Sequence, residues 1–255
     1  MAINREIWQK YVQEDFPNSY PCPRCNKGQV RRGATPIALL EPHHSSREQG
    51  REEWDPEWIC KRFTTMLVCD NATCGEVISV SGHVSVDYIE YFDDYGVPEG
   101  GGYHVWLEPV SMFPAPPIFP ISRQLPAQVK KELKLAFQLF WTDLSASTSR
   151  LRTSLERVLD EQGVARSKPD KKGKPQRLSL FERIDVFEKT KKDSDTAESM
   201  NALRIVGNLG THGDEVVEGD YFDLLDIYED ALAEIYEQKT ARLKAKKQAL
   251  IALKK

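Results

Sequence analysis

The chain has no apolar run approaching the roughly 20 residues that a membrane helix needs, which argues against a membrane-spanning protein. It has no apolar leader either. The opening "MAINREIWQKYVQEDF" is mixed and charged, which predicts no secretory signal and a cytoplasmic location. No internal repeat is visible. Single-signed stretches stand out. "DEVVEGDYFDLLDIYEDALAEIYE" holds ten acids and no base, and Lys239 to Lys255 holds seven bases and no acid. "GVARSKPDKKGKPQR" holds six bases and one acid. Net charge is -4, with 11 Lys/Arg against 17 Asp/Glu in residues 1–126 and 24 against 22 thereafter. Such blocks suit nucleic acid, an acidic partner or a solvated face. A length of 255 residues suffices for one large domain or two modest ones.

Cysteine is scarce, and its placement is what gives it meaning. The five are Cys22, Cys25, Cys60, Cys69 and Cys74. "PCPRC" contributes Cys22 and Cys25, and "CDNATCG" contributes Cys69 and Cys74, with a glycine just after that lets backbone amides turn toward sulfur. Two short turns that each offer a pair of thiolates supply a tetrahedral zinc site. In a cytosolic chain this pattern favours a metal over disulfides. The bland alternative is five reduced, buried thiols. A closed site of four cysteines leaves no open position for water, so the expected Zn2+ is structural. Cys60 lies in "EWICKRFTTMLVC", read as a strand, and is expected to be a core thiol. His43 and His44 in "PHHSS" are rival ligands, set aside as exposed residues of a polar loop.

Strand-forming residues fill "RFTTMLV", "EVISVSGHVSVDYIEYF" and "GYHVWLEPV". The polar "EPHHSSREQGREEWDPEW" reads as a loop, and the proline-rich "SMFPAPPIFPISRQLP" as a connector. Helical periodicity takes over after Pro126. "LPAQVKKELKLAFQLFWTDL" has a proline near its first turn. "SASTS" is expected to break or cap, and "SRLRTSLERVLDEQG" to end at Gly163. "SLFE" from Ser179 and "DTAE" from Asp195 read as capping boxes. Tyr221, Leu224, Leu225, Tyr228, Leu232, Ile235 and Tyr236 form one apolar stripe, with the basic tail extending that helix. The expectation is an α+β chain: residues 1–125 as a zinc-ribbon-like β domain with its connector, and residues 126–255 as a bundle of four or five helices with a basic tail.

One segment carries more than folding asks for. In "ALRIVGNLGTHGDE" a helix from Thr196 to about Asn208 puts Arg204 and Asn208 on one face. Gly207, Gly210 and Gly213 then permit a sharp exit that folds His212 back. Arginine binds phosphate with a bidentate fork and histidine exchanges protons near neutral pH, which suits phosphodiester cleavage by a ribose hydroxyl. In the alternative, Asn208 and Gly210 cap the helix, Arg204 pairs with Glu156 or Asp160, and His212 is a polar core residue.

Residues from about Leu125 to Glu237 resemble the family catalogued as domain of unknown function 4145. The resemblance rests on "RTSLERVL", with Arg152 and Glu156, and on "LRIVGNLGTH", with Arg204, Gly207, Asn208 and His212. It implies a HEPN-like all-helical fold, a homodimer, and a place in prokaryotic antiviral defence. It also implies a metal-independent ribonuclease or toxin with Arg204, Asn208 and His212 as catalytic residues. Seven residues separate Arg204 from His212, longer than the HEPN spacing of four to six, and apolar Ile205 follows the arginine. The competing reading is a non-catalytic zinc-ribbon and helical adaptor that binds RNA, DNA or a defence partner protein.

Overall fold

A computed structural model describes residues 3–212 and 216–253, with only the backbone of 209–212. The chain forms two compact units, Asn4–Pro117 and Ile118 onward, that divide within the proline-rich segment.

The first unit is an antiparallel sheet of seven strands among the described residues. They are β1 (Val12–Gln13), β2 (Ser19–Pro21), β3 (Gln29–Arg32), β4 (Ala38–Leu40), β5 (Lys61–Cys69), β6 (Val77–Phe92) and β7 (Pro98–Phe113). The order is β1-β7-β6-β5-β3-β2, and β4 shares an edge of β5 with β3. Side chains alternate across a strand, so Phe63, Thr65, Leu67 and Cys69 of β5 and Ile78, Val80, Val84 and Val86 of β6 face one core. Trp8 lies beside Tyr20 and Phe16 beside Phe63, each pair with tilted rings, and all four are buried. The polar insertion is not a bare loop. It holds α1 (His43–Glu48) and a 3-10 turn, Pro56–Trp58. Buried Ser45 organises it by donating to Glu41 and accepting from the Cys60 amide at 3.0 Å.

The second unit is helical: α2 (Ala127–Phe140), α3 (Leu144–Glu161), α4 (Leu180–Lys191), α5 (Ser194–His212), α6 (Glu218–Glu237) and α7 (Lys239–Ala252). Several boundaries differ from expectation for local reasons. "SASTS" lies inside α3, because Asp143 caps that helix by accepting from the Ala146 amide at 2.9 Å. The capping box at Ser179 and Glu182 is present in both directions. For α5 the Thr196 amide instead donates to Asp193, ahead of the Asp195 expected from sequence. The basic loop closes as a hairpin of β8 (Ser167–Pro169) and β9 (Pro175–Arg177). Its turn is held by Asp170, which accepts from the amides of Lys172 and Lys174 at 2.8 Å each. The basic tail does not extend α6. Gln238, left-handed at φ 51°, ends that helix and α7 follows as a separate element with no buried residue.

The expected apolar stripe of α6 is turned inward. Tyr221 and Tyr228 are fully buried, and their hydroxyls meet Ser147 Oγ at 2.7 Å and Ser154 Oγ at 2.6 Å. Both pairs step by seven residues, so α3 and α6 run parallel with serines making room for tyrosines. These tyrosines are therefore core residues and offer no surface for a partner. Phe140 joins them, with ring centroids 5.5 Å from Tyr221 and 5.6 Å from Phe222.

Candidate functional site

The cysteines come from two turns at one end of the sheet. Cys22 and Cys25 lie between β2 and β3, Cys69 ends β5, and Cys74 lies between β5 and β6. Pairing of β3 with β5, Val30 opposite Cys69, sets the turns side by side. Asn26 at φ 51° and Gly75 at φ 58° take the left-handed conformation just after each second cysteine. All four sulfurs lie within 4.8 Å of one another. Cys22 to Cys74 and Cys25 to Cys69 are each 3.8 Å, and sulfurs about 2.3 Å from one tetrahedral zinc stand about 3.8 Å apart. The donor set and spacing therefore fit a metal. The Gly28 amide donates to Cys25 Sγ at 3.4 Å and Asn71 Nδ2 lies 3.7 Å from it. Backbone amides of Gly28 and Lys27 hold the Cys25 thiol down at about 6, whereas burial pushes Cys69 up to about 12. Gly28 has a second role: a Cβ there would stand 2.7 Å from Cys69 Sγ. Cys60 is no core thiol. It is half-buried ahead of β5, with Arg62 Nη1 3.1 Å from its sulfur. His43 and His44 are exposed on α1 and outside the cluster.

The segment around Arg204 differs from both sequence readings. Helix α5 continues through Gly207 and Gly210 to His212, so the turn expected after Asn208 is not there. A separation of eight residues in one helix is a rise of about 12 Å, and the backbone does not fold His212 back toward Arg204. The side chain of His212, and Gly213 altogether, lie outside the described residues. Gly207 serves close packing instead, since a Cβ there would meet Arg152 Cβ at 3.0 Å. Arg204 pairs with neither Glu156 nor Asp160. Its Nε donates to Asn201 at 3.1 Å and its guanidinium lies over Phe181, 5.3 Å from the ring centre. Asn208 Oδ1 accepts from Arg152 Nη1, so the two motifs "RTSLE" and "LRIVGN" meet across α3 and α5.

Arg152 also opens onto a cleft of ≈360 Å³ between α3, β9 and α4, where Arg166, Arg177 and Arg183 converge with Glu156 and Glu182. Arg183 is only 4% exposed. It donates to Asp160 at 2.8 Å and to the Val164 carbonyl at 3.1 Å. Asp160 also receives Arg166, and Arg157 at 3.6 Å. Hydrogen bonding from Arg166 and then Arg183 holds its carboxyl below the usual carboxylate range, against the opposing effect of burial. Glu182 is lowered to about 2, chiefly by Lys168 and then by the Ser179 amide and hydroxyl. Local pattern announced this cleft only in part. Arg166 and Arg177 end the basic loop, and Arg183 shares the buried face of α4 with Leu180, Ile184 and Phe187.

Residues 134–251 match the family model described as Domain of unknown function (DUF4145), which supports the resemblance of the helical unit. Residues 10–109 match Domain of unknown function (DUF8608). No curated protein and no solved structure matches the chain. No helix among the described residues is long and apolar enough to cross a membrane.

Proposed function

We propose that the chain is a nucleic-acid-binding adaptor whose helical unit grips phosphate, with a β unit made rigid by one structural zinc. The observation that carries this reading is an unbalanced cluster of cations. Lys171, Lys172, Lys174 and Arg177 are exposed on the β8–β9 hairpin without an ion-pair partner among the described residues. The arginine cleft adjoins them. Phosphate contacts from such side chains supply most sequence-independent affinity. Zinc is the metal proposed for the cysteines because four thiolates in a closed tetrahedron suit it and leave no catalytic position. The zinc-ribbon-like description follows from the paired turns. The HEPN-like fold, a homodimer and a defence role rest on the family resemblance alone.

A second reading is the metal-independent ribonuclease. The hydrogen bond from Arg152 to Asn208, which ties the signature segment to the cleft, favours it. One experiment addresses both. Fluorescence anisotropy with single-stranded RNA and DNA, over a salt series and with chelator present, is read for the wild type and for Lys171, Lys172 and Lys174 all changed to Gln. The variant should bind more weakly, with a salt slope reduced by about 0.7 per lost phosphate contact. No wild-type binding at low salt overturns the adaptor. RNA cleavage that His212→Ala or Arg204→Ala abolishes without changed melting establishes the ribonuclease. Light scattering of the same samples at one-chain mass removes the homodimer.

A further inference from the structure

We infer that the arginine cleft seats a terminal phosphate monoester, the phosphorylated end of a nucleic-acid strand. This rests on the nucleic-acid reading above and adds a specificity to it.

The argument begins with charge. Around Asp160 one carboxylate faces three guanidiniums, those of Arg157, Arg166 and Arg183. It cannot neutralise them all. Arg152 and Arg177, on the same cleft, have no carboxylate partner among the described residues. Of the lining acids, Glu182 is engaged by Lys168 at 2.8 Å and by Ser179. Only Glu156 has no hydrogen bond among the described residues. The cleft therefore carries a net positive charge.

Burial sharpens the point. Desolvating a guanidinium is costly unless its donors are paired. Arg183 Nε is nonetheless buried without a hydrogen-bond partner among the described residues, although the same side chain is anchored through Nη2. Arg183 lines the cleft, so its guanidinium adds to the site a cation whose donors are not all paired. Guanidinium forks match phosphate oxygens.

Charge selects the kind of phosphate. An internal phosphodiester carries one charge, and its strand must leave on both sides. A terminal monoester enters end-on, carries a charge of about -1.5 to -2 at pH 7, and offers three acceptor oxygens. Its second charge matches the surplus of guanidiniums. Glu156 repels phosphate at its own position but accepts from a hydroxyl or amino group beside it, which suits the nucleotide that bears the phosphate.

The test uses the full chain and one oligonucleotide sequence in three forms: 5′-phosphorylated, 3′-phosphorylated and with both ends hydroxyl. A fourth arm adds a nucleoside monophosphate or inorganic phosphate as competitor. Affinity is read by anisotropy at fixed salt. One phosphorylated form should bind at least about tenfold tighter than the hydroxyl form, the contribution of one charge-assisted hydrogen bond. Arg177→Gln, at an exposed position, should collapse that ratio toward one. Lys172→Gln, at the hairpin turn, should weaken all forms alike and keep the ratio. Equal wild-type binding of the three forms overturns this inference and leaves the adaptor reading standing. Binding of none overturns both. A rise in melting temperature with the monophosphate, where no strand form binds, would identify a free nucleotide as the ligand and overturn the strand-end assignment.

Discussion

Replacing Gly28 by alanine tests the proposed metal centre through one atom. The added Cβ would stand 2.7 Å from Cys69 Sγ, 2.7 Å from Asp70 Oδ1 and 2.9 Å from Asn71 Cβ. Nonbonded heavy atoms settle at about 3.5 Å or more, so the sulfur must retreat by about 0.8 Å or the turn must open. A metal ligand tolerates displacements of only about 0.2 Å. The same residue orders the first turn, accepting from the Cys22 amide at 3.0 Å and donating to Cys25 Sγ. Disturbing such supporting groups costs about 10–100-fold in metal affinity, or about 1.4–2.8 kcal/mol. Elemental analysis of purified protein should give one zinc per chain for the wild type. A chromophoric chelator should strip Gly28→Ala at 10–100-fold lower concentration. Gly33→Ala is the control, because nothing lies within 4 Å of a Cβ built there. Indistinguishable competition curves for Gly28→Ala and wild type would refute the packing argument. No zinc in the wild type would refute the centre itself.

Two further outcomes concern the helical unit. In an open helix Gly→Ala stabilises by about 0.8–1.0 kcal/mol, but at Gly207 the Cβ contact of 3.0 Å is to Arg152 Cβ, which cannot rotate away. Overpacking costs about 1–3 kcal/mol, so Gly207→Ala should lower the melting temperature, and a rise would show that α3 and α5 separate freely. The second outcome is a pH dependence. Asp160 titrates below the ordinary carboxylate value, so the stability it contributes is present above the unfolded pKa, about 4. That stability is lost as pH falls through the lowered folded value. Asp160→Asn should cost about 2 kcal/mol at neutral pH, less than a fully buried pair because the carboxylate is 25% exposed. Melting curves of the two proteins should converge on acidification, and a gap that stays constant to pH 2.5 would refute the linkage.

Much of this protein follows from local pattern. That Cys22, Cys25, Cys69 and Cys74 cluster was legible because each pair sits within one short turn, where spacing alone fixes geometry. The capping box at Ser179 and Glu182 was legible because both partners lie within a single helical turn. The helical periodicity after Pro126 corresponds to a buried α2 face of Val129, Leu133, Ala136, Phe137 and Phe140. Periodicity states that such a face is covered, but not by what. That is why the stripe of α6 was visible, but not that its Tyr221 and Tyr228 meet Ser147 and Ser154. Gly207 likewise read as freedom to turn, when its role is set by Arg152, distant in sequence. The end of α6 at Gln238 had no glycine or proline to announce it. The arginine cleft belongs mostly to tertiary structure. Arg157, Arg166 and Arg183 come from α3, the basic loop and α4, and their charges acquire meaning only when packing places them around Asp160, one carboxylate that cannot balance them.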